Sequence, residues 1–300
     1  MNKSLEAIVG AHPGVEKLAG EFGFTEGPVW AQPGFLLFSD LPNNSIMRWH
    51  PQEGVSEFRK PSGCDANNAP PGAHIGSNGL TLDSEGRLII CEHGNRRVTR
   101  LEKEGTLTVL ADRYEGSRLN SPCDVVMKSD GGTYFSDPPY GLPGRDSDPA
   151  KELPFSGIYR LFDGKLELLC DQLSRPNGMA FSPDERLLYV ANSDPRERIW
   201  MRFDVSSAGT LSNGVVFHDA RRAVAAGVPD GVKVDTEGNV YCAGPGGIWI
   251  FSVDGTHIGT IEFPELPANC CFGDQNGKML YVTARTGLYR IRVNIEGIRP

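Results

Sequence analysis

The chain has 300 residues, with 36 Gly, 22 Pro, 39% hydrophobic residues and a formal net charge of −8. Such a balance suits many short strands joined by tight turns and argues against a helical bundle. Acidic charge without a basic block argues against nucleic acid as a partner, and no apolar run has the length of a membrane span or a secretory signal. A cytoplasmic protein that meets neither nucleic acid nor membrane is expected, and with no compositional break, residues 1–300 read as one domain.

In chain order, Val15-Glu-Lys-Leu-Ala-Gly-Glu-Phe comes first and reads as an outer strand. Then a polar residue stands six times in front of an apolar run: Glu26-Gly-Pro-Val-Trp, Asn78-Gly-Leu-Thr-Leu-Asp, Cys123-Asp-Val-Val-Met, Asn177-Gly-Met-Ala-Phe, Asp230-Gly-Val-Lys-Val-Asp and Asn269-Cys-Cys-Phe-Gly. From each, the matching residue of the next strand (Phe38, Ile89, Tyr134, Tyr189, Tyr241, Tyr281) follows at an offset of 11 or 12. Between the two strands lie turns such as Ser84-Glu-Gly-Arg and Asp235-Thr-Glu-Gly-Asn, in which Asp or Ser bonds its own backbone and Gly takes the positive φ of a tight hairpin. Recurrence at roughly 50-residue intervals, with a hairpin in each copy, predicts an all-β six-bladed propeller. The N-terminal strand near 15–22 would close the last blade and remove exposed edges.

Two stretches break the rhythm: 62–76, between the first two blades, and 137–155, inside the third. Long irregular loops in a compact fold commonly cover a site, and both are expected to form a partial lid over the ring end of the axis.

Equivalent positions in a propeller point at the axis, so Glu26, Asn78, Cys123, Asn177, Asp230 and Asn269 would ring one small volume. A hard divalent cation takes several oxygen donors, and Glu26, Asp230 and Asn177 offer two carboxylates and an amide oxygen from different blades. The same polar residues would also suit a water-filled channel with no metal. Of seven cysteines, Cys91, Cys170 and Cys242 lie in apolar strand patterns, Cys270 and Cys271 are adjacent, and none forms a CxxC pair. Reduced thiols acting as small hydrophobes are expected, and only Cys123 holds a ring position.

The phrases Thr25-Glu-Gly-Pro-Val-Trp, Ser77-Asn-Gly-Leu-Thr-Leu-Asp, Arg175-Pro-Asn-Gly-Met-Ala-Phe-Ser and Pro229-Asp-Gly-Val-Lys-Val-Asp resemble the gluconolactonase, senescence marker protein 30 and luciferin-regenerating-enzyme family. So do Cys91-Glu-His-Gly-Asn-Arg-Arg-Val, Phe135-Ser-Asp-Pro-Pro-Tyr-Gly and Leu280-Tyr-Val-Thr-Ala. The resemblance implies a six-bladed propeller with one axial divalent ion, usually Ca2+ and sometimes Zn2+, Fe2+, Mn2+ or Mg2+. It maps the metal ligands onto Glu26, Asn177 and Asp230, and the general base onto Asp230. One position departs from it: the family commonly carries Pro-Asn-Asp where this chain reads Pro122-Cys123-Asp124. Cys123 could be a neutral thiol, a ligand drawing a softer metal, or a nucleophile that contacts substrate.

The expected activity is metal-assisted hydrolysis of a sugar lactone or similar cyclic ester, with Asn78, Asn120, Cys123 and Asp124 as candidate substrate contacts and a small-molecule lactone as partner. His74 could reach over the ring from the first insertion, and His93 reads as a hydrogen-bonded loop residue. A non-catalytic binding propeller with a structural ion, or an organophosphate hydrolase on the same site, would use similar residues. Monomer and homodimer are both compatible with the pattern.

Overall fold

The computed structural model describes residues 4–11, 14–65 and 74–300. Its strands form six antiparallel four-stranded sheets, the architecture of a six-bladed β-propeller. The first blade is Thr25–Ala31, Phe35–Asp40, Ser45–His50 and Gly54–Arg59. The innermost strands of the next four begin at Ser77, Val125, Pro176 and Val232. The sixth blade takes Pro267–Gly273, Met279–Ala284 and Gly287–Arg292 from the C-terminal end and Glu16–Ala19 from the N-terminal end, paired Glu16 with Arg290 and Lys17 with Tyr289. The closing strand therefore lies where the sequence places it.

The repeat has a packing cause. Phe38, Ile89, Tyr134, Tyr189, Tyr241 and Tyr281 are all buried in the second strands of their blades. Five of them sit opposite an innermost-strand residue just past the ring position: Thr81, Val126, Ala180, Lys233 and Cys271. Six apolar clusters fill the molecule, and each straddles two neighbouring blades. One joins Met179 and Val190 to Tyr134 and Ile158 across blades three and four. Another joins Tyr241 and Ile250 to Phe272 and Leu280 across blades five and six. The core thus lies between sheets, and the axis is left to polar residues.

At the axis the blades approach so closely that a side chain is excluded. A Cβ on Gly27 would lie 2.0 Å from the Asn78 carbonyl oxygen, on Gly178 2.3 Å from that of Asp230, and on Gly231 2.1 Å from the Asn269 Oδ1. Hence Gly follows Glu26, Asn78, Asn177 and Asp230. Innermost strands also leave their ladders here, with register shifts between Glu26 and Val29, Ser77 and Leu80, and Pro176 and Met179. Such bulges re-aim side chains.

Two elements carry no clear sequence signal: a short helix, Leu5–Val9, and a two-residue-strand hairpin, Arg113–Tyr114 with Ser117–Arg118. The helix is capped by Ser4, whose hydroxyl accepts the Ala7 N–H at 3.2 Å, and Ile8 and Val9 pack into the cluster between blades five and six. Of the first insertion, residues 66–73 lie outside the described residues, so the lid expected there is described only at its two ends. Among the described residues no helix is long and apolar enough to cross a membrane.

Candidate active site

Hydrogen bonds link the ring residues in sequence around the axis. The Asn78 amide donates to the Cys123 sulfur at 3.2 Å, and the Cys123 thiol donates to the Asn177 Oδ1 at 3.1 Å. Across the closure between the last and first blades, the Asn269 Nδ2 donates to the Glu26 Oε2 at 3.1 Å, which also accepts the Gly27 N–H at 2.8 Å. The chain of bonds is interrupted between Glu26 and Asn78 and again at Asp230. Its Oδ1 is closed off from solvent and has no hydrogen-bond partner. The residue as a whole is partly exposed, because it also lines an open pocket of about 390 Å3 with Phe24, Val228, Leu266 and Arg285.

Two carboxylates therefore share one poorly solvated volume. Burial pushes Glu26 up to about 7, against the hydrogen bonds from Gly27 and Asn269. Asp230 is raised well above the ordinary range by burial first and by the Glu26 charge second. Burial, then Asp230, Glu26 and Asp124, raises the Cys123 thiol. Like charges and desolvation disfavour ionisation, and a cation placed among them reverses both effects.

Residues 24–286 match the SMP-30/Gluconolactonase/LRE-like region. The chain belongs to this family. Gluconolactonase of Zymomonas mobilis subsp. mobilis is 39% identical over 98% of this chain and 85% of its own length. Human regucalcin is 26% identical over 88% of this chain and 84% of its own. A gluconolactonase structure from Xanthomonas campestris superposes with a TM-score of 0.82 at 32% identity, covering 96% of this chain and 92% of that one.

For a family member of this kind the donor set bears on a metal. Among the described residues no three His, Cys, Asp or Glu side chains are arranged to hold an ion. The axial set instead combines two carboxylates, Glu26 and Asp230, with the Asn177 amide oxygen. Oxygen donors from three blades, one of them an orphaned buried carboxylate oxygen, fit a hard divalent cation.

The remaining expected residues divide. Asn78 and Cys123 lie within the ring. Asp124 lies beside it, but its Oδ1 accepts the Val125 N–H at 3.0 Å and its Oδ2 accepts the Met179 N–H of the next blade at 3.1 Å. Asn120 is fully buried, and its Nδ2 donates to the main-chain oxygens of Asp137 and Phe155 at 2.9 and 2.8 Å. Asp124→Ala is expected to cost about 1–3 kcal/mol, since two buried N–H groups lose their acceptor. Chemical denaturation at constant m-value measures it, and an unchanged midpoint would remove this bracing role.

Two residues near the site escape a reading by repeat. His93, at the end of the second blade's second strand, is fully buried with its Nε2 3.2 Å from the Asn78 Nδ2. Burial, with His74 adding, lowers it to about 3, so the ring is neutral and its Nε2 accepts from Asn78. The signal available was its place at the ring end of a strand. Tyr140, from the second insertion, donates its hydroxyl to the Ser193 carbonyl at 3.3 Å. Ser193 in turn donates its hydroxyl to the carbonyl of Pro229, the residue before Asp230, which puts Tyr140 beside the ring.

Proposed function

We propose that the chain is a divalent-metal-dependent lactonase that opens a sugar lactone or related cyclic ester at the axial ring. The observation that carries the reading is the Asp230 Oδ1, buried without a donor beside a second buried carboxylate. Supporting it is the activity named for the relatives, gluconolactonase.

Glu26, Asn177 and Asp230 would hold the ion, and their hard oxygen donors favour Ca2+. When bound, the cation supplies charge that polarises the lactone carbonyl and stabilises the oxyanion. Asp230 takes a proton from the attacking water as its oxygen bonds to the carbonyl carbon; the ring C–O bond then breaks and the ring oxygen is protonated, giving the hydroxy acid. Cys123 acts as a neutral thiol, since it donates to the Asn177 Oδ1 and so aims that oxygen into the ring. Asn78, whose two N–H donors go to His93 and Cys123, leaves its amide oxygen for the substrate side, while Asp124 and Asn120 brace the wall behind.

Metal analysis of untagged protein by inductively coupled plasma mass spectrometry is expected to find about one divalent ion per chain. Chelation is expected to abolish hydrolysis of a small lactone panel and to lower the unfolding free energy, by about 2.7 kcal/mol if the ion had been present at a hundred times its dissociation constant. A protein without metal and without turnover would instead be a binding propeller.

A further inference from the structure

The rim of the pocket that Asp230 lines carries positive charge that lactone opening does not use. Arg285 lines the pocket with Asp230 and Phe24, and its guanidinium lies 5.9 Å from the Phe24 ring centroid. Phe24 also stacks with His74, centroids 6.5 Å apart and planes 27° from parallel. His74 lies within the field of Arg145: burial and then the Arg145 charge hold it below the ordinary histidine range. Arg145 in turn sits 5.6 Å over the ring of Tyr140, which is joined through Ser193 to the Pro229 carbonyl next to Asp230. Phe24, His74 and Tyr140 thus connect two guanidiniums to the mouth of the ring.

What distinguishes Arg145 and Arg285 is that each is unpaired and held on an aromatic face, that of Tyr140 or Phe24. Other arginines, Arg202, Arg222 and Arg292 among them, also lack an ion pair among the described residues. Arg87, Arg97, Arg100 and Arg290 each lean on a carboxylate of their own sheet, and Arg175, also beside Tyr140, pairs with Asp146 at 2.8 Å. Among the described residues neither Arg145 nor Arg285 forms an ion pair. No Asp or Glu lies outside the described residues, so no protein carboxylate is left to neutralise them. Both are exposed, and both are held against aromatic faces, which limits the entropy lost when a guanidinium closes on an anion. In a protein of net charge −8, two unpaired cations at the entrance of an acidic pocket are a local reversal of sign.

We infer that the rim selects lactones bearing an anionic group, a carboxylate or a phosphate remote from the scissile ester, with Arg145 and Arg285 gripping its oxygens and Phe24 and Tyr140 flanking the sugar ring. Guanidinium forks match both anions bidentately. The inference rests on the lactonase reading and adds the class of substrate to it.

The test uses three hexono-lactones that differ only at C6: hydroxymethyl, carboxylate and phosphate. At low salt, kcat/KM is expected to be tenfold or more higher for an anionic lactone than for the neutral one, and the advantage to shrink as ionic strength rises. The better of the two anionic arms identifies the group. In the double variant Arg145→Gly/Arg285→Gly the anionic-to-neutral ratio is expected to fall towards one. Both residues have left-handed backbone, φ +49° and +47°, which glycine adopts without strain, so the fold is expected to survive. A neutral lactone preferred or matched, or a ratio unchanged in the variant, would overturn the inference. If no lactone is opened, the activity is wrong and the rim is decided separately by calorimetry with the ring-opened acids. Tighter binding of hexonate 6-phosphate than of hexonate, lost in the variant, would uphold it; equal binding would sink it.

Discussion

Asp230→Asn is expected to cut lactone turnover by about 10²- to 10⁴-fold, the usual contribution of a general base, while raising the thermal midpoint of the chelated protein. The two effects share one origin. The Asp230 Oδ1 has no donor and faces the Glu26 charge across a desolvated volume. An uncompensated buried polar group costs about 1–3 kcal/mol, and more when charged. The amide relieves the repulsion and forfeits both the proton acceptor and a charge for the cation. With saturating Ca2+ the order of stabilities is expected to reverse, because the parent gains more from the ion than the variant does. Steady-state kinetics beside differential scanning calorimetry at pH 8, with chelator and with Ca2+, would measure all three. Parent-like turnover in the variant would remove Asp230 as base. A lower midpoint in chelator would show that its carboxylate does not strain the fold.

Gly27→Ala is expected to be among the most destabilising single changes in the chain, at roughly 3–5 kcal/mol. Gly27 has φ +49°, and its added methyl would meet the Asn78 carbonyl at 2.0 Å. That oxygen belongs to the backbone of the neighbouring blade and cannot rotate away. Gly86, in an exposed hairpin, offers the control: its φ is +75°, but nothing lies within 4 Å of the added carbon. Gly86→Ala is expected to cost only the left-handed backbone penalty of about 1–2 kcal/mol. Urea unfolding of the pair separates steric exclusion at the axis from dihedral strain. Equal losses would mean that the blades can move apart at Gly27.

That same exclusion explains how much of the fold was legible. Glu26-Gly, Asn78-Gly, Asn177-Gly and Asp230-Gly stand out in the sequence because in these four blades the neighbouring backbone leaves no room for a Cβ after the ring residue, and the tyrosines recur because each fills the same cleft between blades. A constraint imposed repeatedly leaves a period. The arrangement of side chains around the ring leaves none. His93 meets Asn78 through the fold of one loop, Tyr140 and Arg145 come from the irregular insertion of the third blade, and Arg285 comes from a turn of the sixth. Asp124 reads as a polar residue beside the ring, yet its carboxylate is taken up by the Val125 and Met179 N–H groups. Asn120 likewise reads as a free amide, but Asp137 and Phe155 occupy its donors. Helix Leu5–Val9 is too short for a hydrophobic period to show.

The last blade, woven from both ends of the chain, also has a consequence for how the protein matures. Glu16 must find Arg290, and Glu26 must find Asn269, across nearly the full contour of the polypeptide. Such distant pairings are entropically costly and form late. Until they form, Glu26 has no fixed position opposite Asn177 and Asp230, and a chain with five blades assembled presents only part of the donor set. On the metal-lactonase function proposed above, a cell holding half-folded copies would hold few that capture an ion or release a product, and acquisition of activity would become a clock for the final joining of the circle.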